Sequence, residues 1–202
     1  MHLIKTANIA DELAAAEIRS ALQGKRCWYA YTSVGCTFAM DLGRKIPRDD
    51  DEMTMMDRLR KRMVRQHPRG VGPLEREHLR FKGESHLLVW CSWRIEDAKG
   101  PLASSDSDAE LCEKVVRRLI GKTVQVVEIR PGWDLRLDLS SGLTVAVFPD
   151  HVGPEANFDG NWELWRPDQA YLIGTDLACD VMDRENRRLR PQPQKGRWQV
   201  KA

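Results

Sequence analysis

Three groupings of side chains in this 202-residue chain are of types that do chemistry. Glu75 and His78, three residues apart, have the separation at which two ligands on one helical turn face a common ion. His2, His67, His86 and His151 are scattered, however, and zinc requires two or more further ligands to converge, so the spacing implies no metal site. Cys91 and Cys112 are nucleophiles only if a histidine approaches in space, and Cys91 lies in an apolar run that reads as a buried structural thiol. Asp134 and Asp138, with Arg136 between them, have the alternation of a carboxylate pair flanking a substrate. A solvated strand face with cross-strand ion pairs is the better account, because the corresponding upstream strand has Asp41 as its one acid there. Gly24 and Gly121 are single glycines at helix ends, whereas phosphate loops need several at a helix start. The expectation is no catalytic residue, no metal and no cofactor, with an enzyme of unknown class as an alternative.

Residues suited to binding are more prominent. The chain has seven tryptophans, and Trp90-x-x-Trp93-Arg94 is echoed by Trp162-x-x-Trp165-Arg166. Tryptophan beside arginine on an outer strand face is a pairing enriched at binding hot spots, which makes Trp90 with Arg94 and Trp165 with Arg166 the leading contact candidates. A second candidate is the helical stripe Met55, Leu59 and Met63, accompanied by Arg58, Arg60, Lys61, Arg62 and Arg65. It reads in three ways: a helix packed on a sheet, a methionine-faced docking helix for another protein, or a nucleic-acid contact. Met55, Arg58, Leu59, Arg62 and Met63 join the tryptophan–arginine pairs as expected partner contacts.

An internal repeat supplies the elements that position these residues. Leu22–Leu42 laid on Leu119–Leu139, 97 positions on, matches without a gap at Leu22, Gly24, Lys25, Gly35, Asp41 and Leu42. A helical stripe precedes each copy, Ala14, Ile18, Ala21 and Leu22 in one and Leu111, Val115 and Leu119 in the other, with Asp11 as N-cap and Ser107 and Glu110 at capping-box spacing. Each helix closes at a Gly-Lys pair and leads into a β-branched and aromatic run, 26–33 or 123–130. The next strand alternates Leu135, Leu137 and Leu139 with charged residues, as Phe38, Met40 and Leu42 alternate in the first copy, so one sheet face is covered and one is wet. Residues 86–95 read as one strand carrying Trp90 and Trp93 on opposite faces, residues 99–108 as a link between halves, and 170–174 as the last strand. The fold expected is α+β, two pseudo-repeated helix-plus-antiparallel-sheet units. Residues 1–98 form the first, with a helical insertion at about 47–80, residues 99–180 the second, and 181–202 a basic, extended tail.

A chain this long buries about 70% of the surface its unfolded form exposes and folds without staples. Lysine plus arginine (32) nearly balances aspartate plus glutamate (30), which argues against a polyanion binder driven by whole-molecule charge. Five cysteines without C-x-x-C spacing suggest reduced thiols, and the absence of a long apolar run suggests neither signal peptide nor membrane span, which together imply a cytoplasmic protein.

The segments SHLLVWCSWRIED, DAELCEKVVRRLIGKTVQVVEIRPGWDLRLDLSSGLTVAVFPD and GNWELWRP resemble a group of uncharacterised bacterial proteins of roughly this length. Those carry a Trp-Arg strand, a helix, a Gly-Asp-Leu-x-Leu-x-Leu hairpin and a late Asn-Trp-x-Leu. The resemblance covers about Ser85 to Arg166 and implies no activity. More loosely, small α+β proteins of this pattern are similar to immunity proteins that neutralise bacterial toxins, although a strong acidic excess is missing. The function expected is a non-enzymatic protein-binding module, an immunity or accessory factor, with another protein as partner. A nucleic-acid-associated protein using residues 58–65 and the basic tail is the alternative.

Asp49, Asp50, Asp51 and Glu52 adjoin the basic run, within a Debye length of about 8 Å at physiological salt, and weaken its field. Fluorescence anisotropy with labelled single-stranded and duplex DNA is expected to show weak or no binding at physiological salt. Submicromolar affinity abolished by changing Arg58, Lys61, Arg62 and Arg65 to alanine would reverse that order of readings.

Overall fold

Ala14, Ile18, Ala21 and Leu22, four apolar residues at helical spacing, form the buried stripe of α1 (Ile9–Leu22). This helix starts two residues before Asp11, so Asp11 lies in the first turn, where its charge suits the helix dipole, and is not the cap. The structure, a computed structural model, describes residues 9–33, 37–48, 72–151 and 160–183. After α1 come β1 (Cys27–Thr32), β2 (Phe38–Pro47), α2 (Pro73–His78), β3 (Phe81–Val89), β4 (Ser92–Asp97) and β5 (Gly100–Ser104). Then follow α3 (Ala109–Val116) with a 3-10 turn at Arg117–Leu119, β6 (Val124–Ile129), β7 (Leu135–Leu139), β8 (Leu143–Phe148), β9 (Trp162–Trp165), β10 (Gln169–Ile173) and β11 (Cys179–Asp183). The class is α+β. All strand pairs are antiparallel, in a six-stranded sheet ordered β1-β2-β3-β9-β10-β11 and a five-stranded sheet ordered β5-β4-β8-β7-β6.

The stripe of α3 differs from the expected one. Cys112, Val115, Val116 and Leu119 are buried, while Leu111 is 37% exposed. Asp108 caps the helix by accepting the Leu111 N–H at 2.8 Å, because Ser107 is turned back to accept the Ser104 N–H.

The two sheets meet where the helices end. Gly24 and Gly121, both in the left-handed region (φ 76° and 84°), close their helices and turn their amides toward the other half of the chain. The Gly24 N–H donates to the Val124 carbonyl at 2.8 Å and the Gly121 N–H to the Cys27 carbonyl at 2.7 Å. The Cys27 N–H donates to the Lys122 carbonyl, the Val124 N–H to the Lys25 carbonyl, and Arg26 faces Thr123 in an antiparallel bridge. Residues 97 apart thus make the same bonds to one another. Their strands share a register too: Cys27↔Leu42 and Tyr29↔Asp41 bracket a bulge at Trp28, as Val124↔Leu139 and Val126↔Asp138 bracket one at Gln125.

Residues 86–95 are two strands rather than one. The chain leaves the six-stranded sheet at Val89, crosses at Trp90 and Cys91, and enters the five-stranded sheet at Ser92; after Phe148 it crosses back to β9. Each sheet therefore receives a hairpin from the neighbouring stretch of chain: β4–β5 lie beside β8, and β9–β10 beside β3. The segment expected as a link, 99–108, holds β5, and β11 is an additional edge strand. The crossover also realigns the tryptophans. Trp93 lies opposite Val147 and Trp162 opposite Val89, so Trp162 corresponds to Trp93 and not to Trp90 as the repeated W-x-x-W-R suggests. Both are fully buried and reach across the sheets. Trp93 meets Phe38 edge-on at 5.1 Å, and Trp162 meets Trp133 at 6.5 Å while donating its Nε1–H to the Trp133 carbonyl. One continuous core joins both sheets and both long helices.

Asn161, fully buried, holds the two crossings together. Its Oδ1 accepts the His151 N–H at 2.9 Å, its Nδ2 donates to the carbonyls of His151 and Gly174, and its own carbonyl accepts the amides of Trp90 and Cys91. Asn161→Ala leaves buried backbone groups unpaired and is expected to cost about 2–4 kcal/mol in urea denaturation. A loss below about 1 kcal/mol would show that the crossing does not depend on this side chain.

Candidate functional site

The polar face of β2, expected to be wet, is covered by α2, and this buries Asp41 completely. A buried carboxylate needs partners, and three surround it. Oδ1 accepts the Gly83 N–H at 2.7 Å and His86 Nδ1 at 3.0 Å, while Oδ2 faces His78 Nδ1 at 3.1 Å. His86 is the cross-strand neighbour of Asp41 on β3, and His78 comes from the last turn of α2. The His78 ring stacks on Tyr29 (4.1 Å, 16°), packs against Tyr31 at 5.1 Å, and has its Nε2 3.4 Å from Arg48 Nη2. A neutral imidazole protonated on Nδ1 satisfies both neighbours, donating to Asp41 and accepting from Arg48. Burial alone raises the Asp41 pKa, but the charge and hydrogen bond of His86 and those of His78 hold it far below the usual carboxylate range. Burial lowers the His78 pKa, with Arg48 and His86 adding to the fall and Asp41 opposing it.

This arrangement orients imidazoles, as Asp–His dyads in catalysis do, but the thiol beside it is not activated. Burial first, then the Asp41 charge, push Cys27 up to about 12, the reverse of what a nucleophilic thiol requires. Cys91 in the crossover is likewise pushed up to about 12, by burial and then by Asp150. The Glu75–His78 pair diverges: Glu75 binds Arg117 at 3.0 Å while His78 turns to Asp41. Among the described residues no group of three or more His, Cys, Asp and Glu is placed to hold a metal ion. Asp134 precedes β7 rather than lying in it, and Asp138 is bound by Arg136 at 3.1 Å and by the Thr144 hydroxyl at 2.8 Å.

The expected contact residues fall on two sheets. Trp90, at the crossing, is 37% exposed, and so is Phe148, which lies opposite Ser92 at the edge of the same crossing. The Arg94 guanidinium lies 5.6 Å over the Phe148 ring and donates to Glu96, which also pairs with Arg136, so a ladder of alternating charge runs from the aromatic edge across the five-stranded sheet. Trp165 and Arg166 are half-buried on the other sheet: Trp165 is the cross-strand neighbour of His86 and donates its Nε1–H to Glu163, and Arg166 faces Asp168 across a turn. Met55, Arg58, Leu59, Arg62 and Met63 lie outside the described residues. The structure thus sets Arg94 over Phe148 and leaves Trp90 exposed at the crossing that leads into β4, and it sets Trp165 beside a histidine that the sequence left scattered. Comparison with protein-family models, curated proteins and solved structures finds no match. Among the described residues no helix is long and apolar enough to cross a membrane.

His78 is harder to protonate in the folded protein than in the unfolded chain. Its contribution to stability is therefore complete above the ordinary value of 6.5 and is lost as pH falls below it. Asp41 contributes above its ordinary 3.8 and loses that contribution only as pH falls through its much lower folded value. Urea denaturation from about pH 8 to about pH 5 is expected to show stability declining toward pH 5 in the wild type and much less in His78→Asn. Equal slopes would remove His78 as the responsible group.

Proposed function

We propose that this chain is a non-enzymatic protein-binding module made of two copies of one helix-and-sheet unit, the first interrupted by the insertion before β3, with an immunity or accessory role. Its contact surface is the crossing edge of the five-stranded sheet. The observation that carries this reading is the exposure of Trp90 and Phe148 on backbone fixed from both sides: the amides of Trp90 and Cys91 are bound to Asn161, and Phe148 ends a strand paired with β4. Large aromatics cost little conformational entropy on binding, and here their backbone is already ordered. The Arg94–Glu96–Arg136–Asp138 ladder supplies the polar rim such a surface uses for register, with its charges already paired. The partner this favours is another protein with an apolar anchor for the Trp90–Phe148 edge. Trp165 and Arg166, half-buried and engaged within the chain, take a secondary place.

Affinity capture from the native cell, by the wild type and by Trp90→Ala/Phe148→Ala, tests the reading. Both side chains are exposed, so the melting temperature is expected to stay within a few degrees while affinity for the captured partner falls about 100-fold. Undiminished capture by the double variant places the contact elsewhere. Turnover in a broad substrate screen that disappears in His86→Ala would favour an enzyme built on the Asp41–His86 pair.

A further inference from the structure

Where the two halves of the chain depart from one another, one of them lacks an acid. In the first half Lys25 forms an ion pair with Glu84, whose other oxygen accepts Arg44 Nε at 2.8 Å and the Arg44 amide at 3.2 Å. The second half reproduces the backbone of this corner: the Gly43 N–H donates to the Arg26 carbonyl as the Ser140 N–H does to that of Thr123, 97 residues on. Lys25 then corresponds to Lys122 and Arg44 to Ser141. On the neighbouring strand Leu42↔Ser85 matches Leu139↔Leu143, which sets Gly142 in the place of Glu84. Among the described residues Lys122 has no ion pair, and Gly142 offers it no side chain.

Lys122 lines a cleft of about 440 Å³ between the 3-10 turn and the β7–β8 hairpin, together with Arg117, Arg118 and Ser141. Arg117 is committed to Glu75 and Glu113. Arg118 makes no ion pair among the described residues. Asp97 is the one carboxylate in the lining, and its Oδ1 accepts the Lys99 amide at 2.8 Å. Ile120 and Leu143 add apolar wall. We infer that this cleft binds a small organic monocarboxylate, its carboxylate taking the role at Lys122 that Glu84 takes at Lys25, with Arg118 as guanidinium partner and Ser141 as hydroxyl donor. A carboxylate suits a site whose counterpart seats one between an ammonium and a guanidinium. Asp97 disfavours dianions and polyanions, and the volume and apolar walls call for a ligand with a hydrocarbon body. The inference rests on the register equivalence of the two halves and not on the aromatic edge, so either can fail without the other.

Benzoate is the probe, titrated into the full chain with amide chemical shifts recorded, alongside benzamide as the neutral isostere and inorganic phosphate. The expected result is saturable shifts of Gly121, Lys122, Ser141 and Gly142 with Kd of about 1–10 mM, and no shift from benzamide. Lys122→Gln and Arg118→Gln, both replacing a surface cation by a side chain of similar length, are each expected to weaken binding at least about fivefold, while the corresponding Lys25 variant leaves it unchanged. The inference is overturned if benzoate does not move these amides at tens of millimolar, if neither variant weakens it, or if phosphate binds as tightly as benzoate.

Discussion

The reciprocal hydrogen bonds between residues 24–27 and 121–124 are the constraint on which the rest of the structure depends. β1 and β6 are edge strands of their sheets, and an edge strand presents unpaired amides and carbonyls that must be covered. Here each covers the start of the other, and the glycine that ends each helix supplies one of the amides, which only a residue at ease with positive φ can aim that way. The bond set fixes more than local pairing. It sets α1 beside β6 and α3 beside β1, so each helix packs against the first strand of the other half.

Once the sheets are joined at that corner, the exchange of hairpins closes the core. Trp93 is carried into the five-stranded sheet yet packs on Phe38 of the six-stranded one, and Trp162 returns to the six-stranded sheet yet packs on Trp133 beside β7. Neither indole is buried until both sheets are present. Core aromatics of this size are worth about 3–5 kcal/mol each on truncation, a large share of the stability of a domain, so the two sheets stabilise one another through these contacts.

Much of this was legible from residues close in sequence. The helix stripes at Ala14–Leu22 and Val115–Leu119, the strands after each Gly-Lys pair and the alternation of Leu135, Leu137 and Leu139 follow from local spacing, and the structure has them there. What was illegible depended on where the chain goes next. Residues 86–95 keep a single alternation through β3 and β4, with Leu87, Val89, Cys91, Trp93 and Ile95 buried, and nothing in their composition marks the change of sheet at Trp90. The Asp41–His78–His86 cluster was hidden for a related reason. Asp41 lies 37 and 45 residues from the two histidines, and the three meet only through strand register and the placement of α2. The one local clue was that Asp41 is among the six positions identical between residues 22–42 and 119–139.

Asp41 and Asp138, in matching registers of β2 and β7, carry different chemistry. Each is followed by a buried leucine, Leu42 or Leu139, and each accepts a hydrogen bond from its cross-strand neighbour, His86 in one case and the Thr144 hydroxyl in the other. Asp138 remains partly in water, where Arg136 is a sufficient partner and the pair contributes little to stability. Over Asp41 the chain lays α2, and the loss of water would cost several kcal/mol for an unpaired carboxylate. An amide and two imidazoles replace that water, and one imidazole is brought by α2 itself. The helix that desolvates the acid thus also supplies part of its compensation, which ties the docking of α2 to Asp41 through polar complementarity as well as apolar contact. A short helix of six residues has little apolar surface with which to specify its place, and the Asp41–His78 bond provides the directionality that the apolar contact lacks.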